Sequence, residues 1–302
     1  MIETHVPIES ALAPKTETAF KSWLRRLVTG AAELQAFDAG EIDAVMDRDS
    51  GCAHLLPEAQ DALRDSSRIA RSALEAGGVV ENQLLAALPS GDYARMEGDL
   101  ESVALKCGQV LYEPGERMRH VYFPRDCVVS LLTPVEGHRV LEVGLVGREG
   151  MIGARLVLGT DKSSVRALVQ GTGTALRMSS ERFLREFRRS QALHRAMLQF
   201  TDRLMVQVSQ TAACNRFHVV DARLARWLLM TAERARATTF HLTHSIIASM
   251  LGVRREGVTV AAVGLQRRGI IRYSRGKITI LDQAGLAAAA CSCYRHLQLM
   301  GA

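Results

Sequence analysis

The chain changes its hydrophobic rhythm twice. In FKSWLRRLVTGAAELQ (20–35), Phe20, Trp23, Leu24 and Leu27 recur at three- and four-residue steps, which places them on one face of a helix. LLPEAQDALRDSSRIARSALEAGG (55–78) repeats that rhythm and stops at a Gly-Gly pair. Between them, IDAVM and AHLL flank an Asp-Ser-Gly turn and predict a small hairpin. Residues 1–80 thus read as a helical N-terminal extension without a catalytic or ligand signature.

Over 81–180 the rhythm shortens. VALKC, QVLY, HVYFP, CVVSLLTPV, RVLEVGLV, RALVQ and TALRM are β-like runs. EPGE (113–116), EGH (136–138), GREG (147–150) and GTG (171–173) separate them as turns. Many short strands with glycine turns predict a barrel or sandwich over 81–189. SSERFLREF (179–187) then reads as a helix, with Ser180 as its N-cap.

Over 190–215 the helical rhythm returns. Leu193, Met197, Phe200, Leu204, Val208 and Thr211 recur at three- and four-residue steps, a narrow seam of the two-stranded coiled-coil kind. The expectation is a dimerisation helix and a homodimer. DARLARWLLMTAERA (221–235) is a further amphipathic helix.

The last region, 216–302, contains LTHSIIASML followed by GVRREGVTVAAVGL. Thr243 is placed to cap the first helix. Ala248 is a small residue for a helix crossing, and Gly252 suits the left-handed turn between two helices. Ile247, Leu251, Val253, Val258, Ala261 and Leu265 sit where they lock such a pair together. This predicts a helix-turn-helix with Arg254, Arg255 and Glu256 at the start of its second helix. Arg can donate twice to guanine and Glu can accept from cytosine, so these three are candidate base readers. Thr259, one turn on, is a candidate phosphate or base contact. IIRYSRGKITIL (270–281) reads as a hairpin, which makes the unit a winged helix. Arg267, Arg268, Arg275 and Lys277 are its candidate phosphate contacts.

The uneven charge suits a polyanion such as DNA, an acidic membrane surface, or simply a solvated face. Residues 1–80 hold 8 Lys/Arg against 13 Asp/Glu, net −5, whereas residues 81–302 hold 30 against 19, net +11. Only 5% of residues are aromatic, which argues against stacking on single-stranded nucleic acid. No apolar run reaches the length of a membrane span, and the N-terminal MIETHVPIESALAPK lacks a signal-peptide pattern, so a cytoplasmic protein is expected. The cysteines at 52, 107, 127, 214, 291 and 293 are scattered and read as free thiols. Cys291-Ser-Cys293 is the one close pair. It reads as part of a helix surface, and no metal site is expected. His241 and His244, at i and i+3, do not make a metal site on their own.

With EPGE, VYFP, VVSLL, VGREGMIG and LGVRREGV in this order, residues 81–282 resemble the Crp/Fnr family of bacterial transcription regulators. The resemblance implies an α+β fold: a cyclic-nucleotide-binding-like β-roll, a long dimerisation helix and a C-terminal winged helix-turn-helix. It implies a dimer on near-palindromic DNA, with RNA polymerase as a further partner. The family recognition helix commonly carries Arg-Glu-x-Val-x-Arg. Arg255, Glu256 and Val258 match it, and Val260 stands in place of the last Arg. Cyclic-AMP-binding relatives use Gly-Glu-Leu and then Arg-Ala/Ser-Ala. Here Ala154 falls at the Glu, and Asp161, Lys162, Ser163 and Ser164 fall at the Arg motif, with Arg166 as a second candidate. Lys162 lacks the guanidinium fork. The expectation is a degenerate pocket, no cyclic nucleotide and no other cofactor. No cysteine cluster lies near the start of the barrel for an iron–sulfur sensor, and His120 and His138 are isolated candidates for a haem ligand.

Two other classes remain. A protein-binding module could use a winged helix for protein contacts, but it would not need positive charge at both groove-facing places. No Ser/His/Asp set, phosphate loop or HExxH motif points to an enzyme.

Overall fold

The computed structural model describes residues 82–299 except 136–138 and 275, together with two three-residue strands at 44–46 and 53–55. The chain divides into two compact units, Met1–Gln60 and Asp61–Ala302. In the first, β1 (Ala44–Met46) pairs antiparallel with β2 (Ala53–Leu55), Ala44 opposite Leu55, as the sequence predicts. The helices predicted at 20–35 and 55–78 lie outside the described residues.

The described residues of the second unit begin with two short helices, α1 (Gln83–Ala86) and α2 (Ser90–Glu97). Seven strands follow: β3 (Glu101–Leu105), β4 (Val110–Tyr112), β5 (His120–Pro124), β6 (Val129–Val135), β7 (Arg139–Val146), β8 (Arg166–Val169) and β9 (Gly173–Ser179). They form two antiparallel sheets, ordered β3-β9-β5 and β4-β8-β6-β7. Phe123, Ala175 and Met178 from one sheet meet Val129, Val146 and Val169 from the other in a single apolar core. The strand rhythm predicts a barrel or sandwich here, and the two sheets form the β-roll that the family resemblance implies.

Helix α3 (Ser180–Arg189) starts one residue earlier in its cap than expected. Ser179 is the N-cap, its hydroxyl accepting from the Arg182 N–H at 3.3 Å. Ser180 instead donates to the Met118 carbonyl at 2.5 Å, fixing the helix to the barrel. Ser190 then caps α4 (Gln191–Phe217), accepting from the Leu193 N–H at 3.0 Å. At 1.5 Å per residue this helix is about 40 Å long.

The structure corrects the proposed seam on α4. Leu193, Met197 and Phe200 are buried in the chain's own barrel core. Phe200 lies over Gly150, where an added Cβ would stand 2.0 Å from the ring. Leu204 packs beside Gly144 of β7, and Thr211 is buried under the Arg226 guanidinium. Of the six, Val208 alone is exposed, at 37%. A helical stripe shows that a face is covered, but here the barrel covers its first four positions and Arg226 covers Thr211. The exposed apolar positions are one step round the helix: Leu198 at 46%, Met205 at 57%, then Val208, with Ala212 beyond.

Helix α5 (Val220–Ala235) follows after two linking residues. Then come β10 (Thr239–His241), α6 (His244–Leu251), α7 (Arg255–Arg267), β11 (Ile271–Ser274), β12 (Lys277–Ile280), α8 (Gln283–Ala289) and α9 (Cys293–Leu299). β12 lies between β10 and β11 in a three-stranded sheet.

Candidate nucleic-acid interface

Helix α6 begins at Thr243, whose hydroxyl accepts from the Ile246 N–H at 3.2 Å. It ends at Gly252, whose φ of +63° is the left-handed conformation that closes a helix cheaply only with glycine. Helix α7 starts three residues later. Ile247, Ala248 and Leu251 of α6 and Val258, Ala261, Ala262 and Leu265 of α7 are all buried against Leu224 and Leu228 of α5, with Val253 packed partly against them. This is the locking set the sequence predicts. Because that face of α7 is buried, the opposite face is presented to solvent. Arg254, Arg255 and Glu256 stand exposed at its N-terminus, followed by Val260 at 70% exposure, Val263 and Arg267.

Thr259 differs from expectation. It is half-buried, its hydroxyl donates to the Arg255 carbonyl at 3.1 Å, and it is 2.9 Å from the His244 Nδ1. The His244 ring stacks on Tyr273 at 4.1 Å between centroids. Thr259 is thus part of a clamp between the two helices and the wing rather than a groove-facing hydroxyl. His244, passed over in the sequence as a weak metal candidate, is the centre of that clamp. Its i, i+15 partner is invisible to local spacing.

The wing is the β11–β12 hairpin, with Ser274 opposite Lys277 and Gly276 at φ +72°. Lys277 is exposed. Arg275 lies outside the described residues. Arg267 and Arg268 are exposed at the C-terminal end of α7, about 18 Å along the axis from Arg255. That distance separates them from Arg254, Arg255 and Glu256 at the other end of the helix.

Strand β7 holds this unit on the barrel. Gly252 packs on Leu141, where an added Cβ would fall 2.6 Å from Cδ1. The Trp227 indole donates to Glu142 Oε1 at 2.7 Å, and Ser130 donates to Oε2 at 2.5 Å. Burial pushes the Glu142 carboxyl up to about 7, although these bonds and the Arg226 and Arg234 charges pull the other way. Gln207 of α4 both accepts from and donates to the Leu145 backbone, at 2.6 and 3.1 Å. Just beyond β7, Glu149 accepts from Arg234 of α5 at 2.8 Å.

The five effector-pocket candidates each make different local contacts. Ala154 is buried and opens a 3-10 turn (Ala154–Leu158). Lys162 is exposed and bridges to Arg117 through its backbone. The Ser163 hydroxyl is used locally, donating to the Val165 carbonyl at 2.7 Å, and Ser164 is exposed. Arg166 is paired with Glu113 at 2.9 Å, and the nearby Arg117 with Asp161 at 3.0 Å. His120 is half-buried on β5, and burial first of all lowers its affinity for a proton. His138 lies outside the described residues.

The cysteine pair is not on a helix surface. Cys291 and Cys293 are buried, and the fold brings Cys214 and His218 to them from the end of α4. The expectation of a pair without neighbouring ligands is therefore corrected. The signal in the sequence was split: Cys214 and His218 are one helical turn apart, but more than 70 residues separate them from the other pair.

A family model described as a Crp-like helix-turn-helix domain matches residues 222–289, and one described as a cyclic nucleotide-binding domain matches residues 102–190. The chain belongs to the Crp/Fnr family of transcription regulators. A comparison with curated proteins found no match. Among solved structures, a Crp/Fnr-family transcriptional regulator from Eubacterium rectale is similar over 68% of this chain and 97% of its own, at 18% identity and a TM-score of 0.54. FixK2 from Bradyrhizobium japonicum is similar over 64% and 98%, at 15% and 0.55. The c-di-GMP-responsive global regulator CLP from Xanthomonas campestris is similar over 64% and 99%, at 17% and 0.53. These likenesses show a shared fold. As a Crp/Fnr regulator the chain is a DNA-binding protein rather than an enzyme, and its helix-turn-helix is α6 and α7.

Proposed function

We propose that this Crp/Fnr regulator works as a homodimer that reads a near-palindromic duplex through Arg254, Arg255 and Glu256, without cyclic AMP. The observation that carries the reading is the exposed N-terminus of α7, with its opposite face locked in the core. Arg255 and Glu256 present a bidentate donor and an acceptor to base edges, and Arg254 serves a base or a phosphate. Val260, with Val263 beside it, offers an apolar contact suited to a thymine methyl where relatives carry Arg. Lys277, Arg267, Arg268 and Arg275 supply backbone contacts.

Dimerisation runs along Leu198, Met205, Val208 and Ala212, whose seven-residue recurrence (198, 205, 212) suits helix-on-helix packing. The division of labour is an extension over 1–80, a sensor barrel over 81–189, a dimer helix over 190–215 and a DNA-binding domain over 216–302. The absence of cyclic-AMP control is supported by the pairing of Arg166 and Arg117 with carboxylates and by an apolar Ala154 where a ribose acceptor would be needed. No helix among the described residues is long and apolar enough to cross a membrane, and the place of action is the cytoplasm, with the DNA.

The test is a titration of a labelled target duplex with and without cyclic AMP. Equal affinity in both arms supports the reading. A tenfold or greater gain with cyclic AMP, about 1.4 kcal/mol, would overturn the ligand-independent part of it.

A further inference from the structure

The C-terminal end of the long helix and the last helix of the chain meet at four ligand-type side chains. Cys214 lies in the last turn of α4, and His218 is its C-cap. Cys291 lies just before α9 and Cys293 begins it. Three sulfurs and one ring nitrogen all lie within 4.8 Å of one another. Cys214 Sγ is 3.5 Å from Cys291 Sγ, and Cys293 Sγ is 3.4 Å from His218 Nδ1. A tetrahedral zinc ion with ordinary bond lengths sets sulfur–sulfur edges of about 3.8 Å and sulfur–nitrogen edges of about 3.6 Å. The four side chains are therefore close to the spacing of one mononuclear site. They are too compact for an iron–sulfur cluster, whose ligands surround a core of several atoms.

The surroundings fit the same ion. All three cysteines are buried. Gln210 donates to Cys293 Sγ at 3.0 Å, the kind of outer contact that orients a thiolate and spreads its charge. Arg223 and Arg226 are buried alongside, close enough to act electrostatically on the thiols. The Nε of each has no hydrogen-bond partner among the described residues. Three thiolates, one neutral imidazole and a divalent ion carry a net charge of about −1, which these cations would balance. A surface hollow lined by Gln210, Ser292, Cys293, Arg295, His296 and Leu299 gives the ion a way in. A Cys214–Cys291 disulfide would use two of the four groups and leave Cys293 and His218 converging on nothing.

We propose that Cys214, His218, Cys291 and Cys293 bind one thiophilic divalent ion, zinc by its chemistry, in a tetrahedral Cys3His site. On binding, three sulfur–metal bonds form as three thiol protons leave to solvent, and His218 ligates through Nδ1 in its neutral form. The site closes a loop around 219–290, the DNA-binding region. Only His218 and Val219 join α4 to α5, and His218 is itself a ligand. Metal loading thus fixes the hinge between the long helix and the winged helix.

The test uses the full chain, stripped of metal under reducing conditions and titrated with Co2+. The expected result is tetrahedral ligand-field absorption in the visible and a thiolate charge-transfer band, saturating at one Co2+ per chain and abolished by zinc. Cys293→Ala should lose at least about 10-fold in Co2+ affinity. Cys107→Ala, an exposed thiol on the barrel, should lose none. Reduced wild-type protein that gives no such bands would overturn the site, with no variant required. So would bands that survive Cys293→Ala, or a Cys214–Cys291 disulfide that forms with equimolar zinc present. Either failure leaves the DNA-binding reading standing, because that rests on α7.

Discussion

The Trp227 indole and the Glu142 carboxyl meet at 2.7 Å, joining the helix beneath the winged domain to strand β7 of the barrel. Both are buried. The carboxyl also accepts a hydrogen bond from the Ser130 hydroxyl, which in turn accepts from Gln170 at 2.6 Å. A burial-raised acid thus sits in the joint between the barrel and the winged helix-turn-helix.

That joint has a pH signature. Folded Glu142 keeps its proton up to about pH 7, whereas its ordinary value is 4.5. Between those values the folded state holds more protons than the unfolded one, so this group's contribution to stability is lost as pH rises from about 4.5 to about 7. The loss is on the order of 2–4 kcal/mol. Glu142→Gln should flatten that part of the stability profile. Denaturant titrations across the range check it, and parallel profiles for the two proteins would count against the assignment.

Met205→Glu should give monomers. Met205 is 57% exposed in the protomer, and a symmetric seam would place each new carboxylate against its mate. The cost is about 3–5 kcal/mol for an uncompensated buried charge. Leu204→Glu should instead disturb the barrel, because Leu204 packs beside Gly144. Sedimentation separates the two: dimeric Met205→Glu would remove the seam from this face.

Arg255→Ala should cost about 1–3 kcal/mol at each half-site, confined to one base pair. Binding to the preferred site and to a random duplex is the comparison. An equal drop on both would make Arg255 a phosphate contact.

Lys277→Ala should weaken all duplexes alike and reduce the salt slope of log Kd by about 1 per protomer. Affinity measured over a salt series reads this directly. An unchanged slope takes the wing lysine out of the phosphate set.

The elements legible in the sequence were those whose signal is local. HVYFP and RVLEVGLV become β5 and β7 over the same residues, because β-branched runs between turns leave little else to form. The locking residues of α6 and α7 followed from helical spacing around Gly252. What the sequence could not carry was the identity of a partner surface. The stripe on α4 was visible, but the barrel rather than a second chain covers Leu193, Met197 and Phe200. Thr259 read as a groove contact because its neighbour His244 lies 15 positions away. Cys291 and Cys293 read as surface thiols because Cys214 and His218 reach them only through the fold.

The central claim is most directly tested by selection from a random duplex pool, with purified protein at moderate salt and no added ligand. The account predicts enrichment of a two-half-site palindrome with its half-site centres about 10 base pairs or a multiple apart, as two recognition helices on one face of DNA require. Failure to enrich any sequence without ligand, followed by enrichment once cyclic AMP is added, would contradict it.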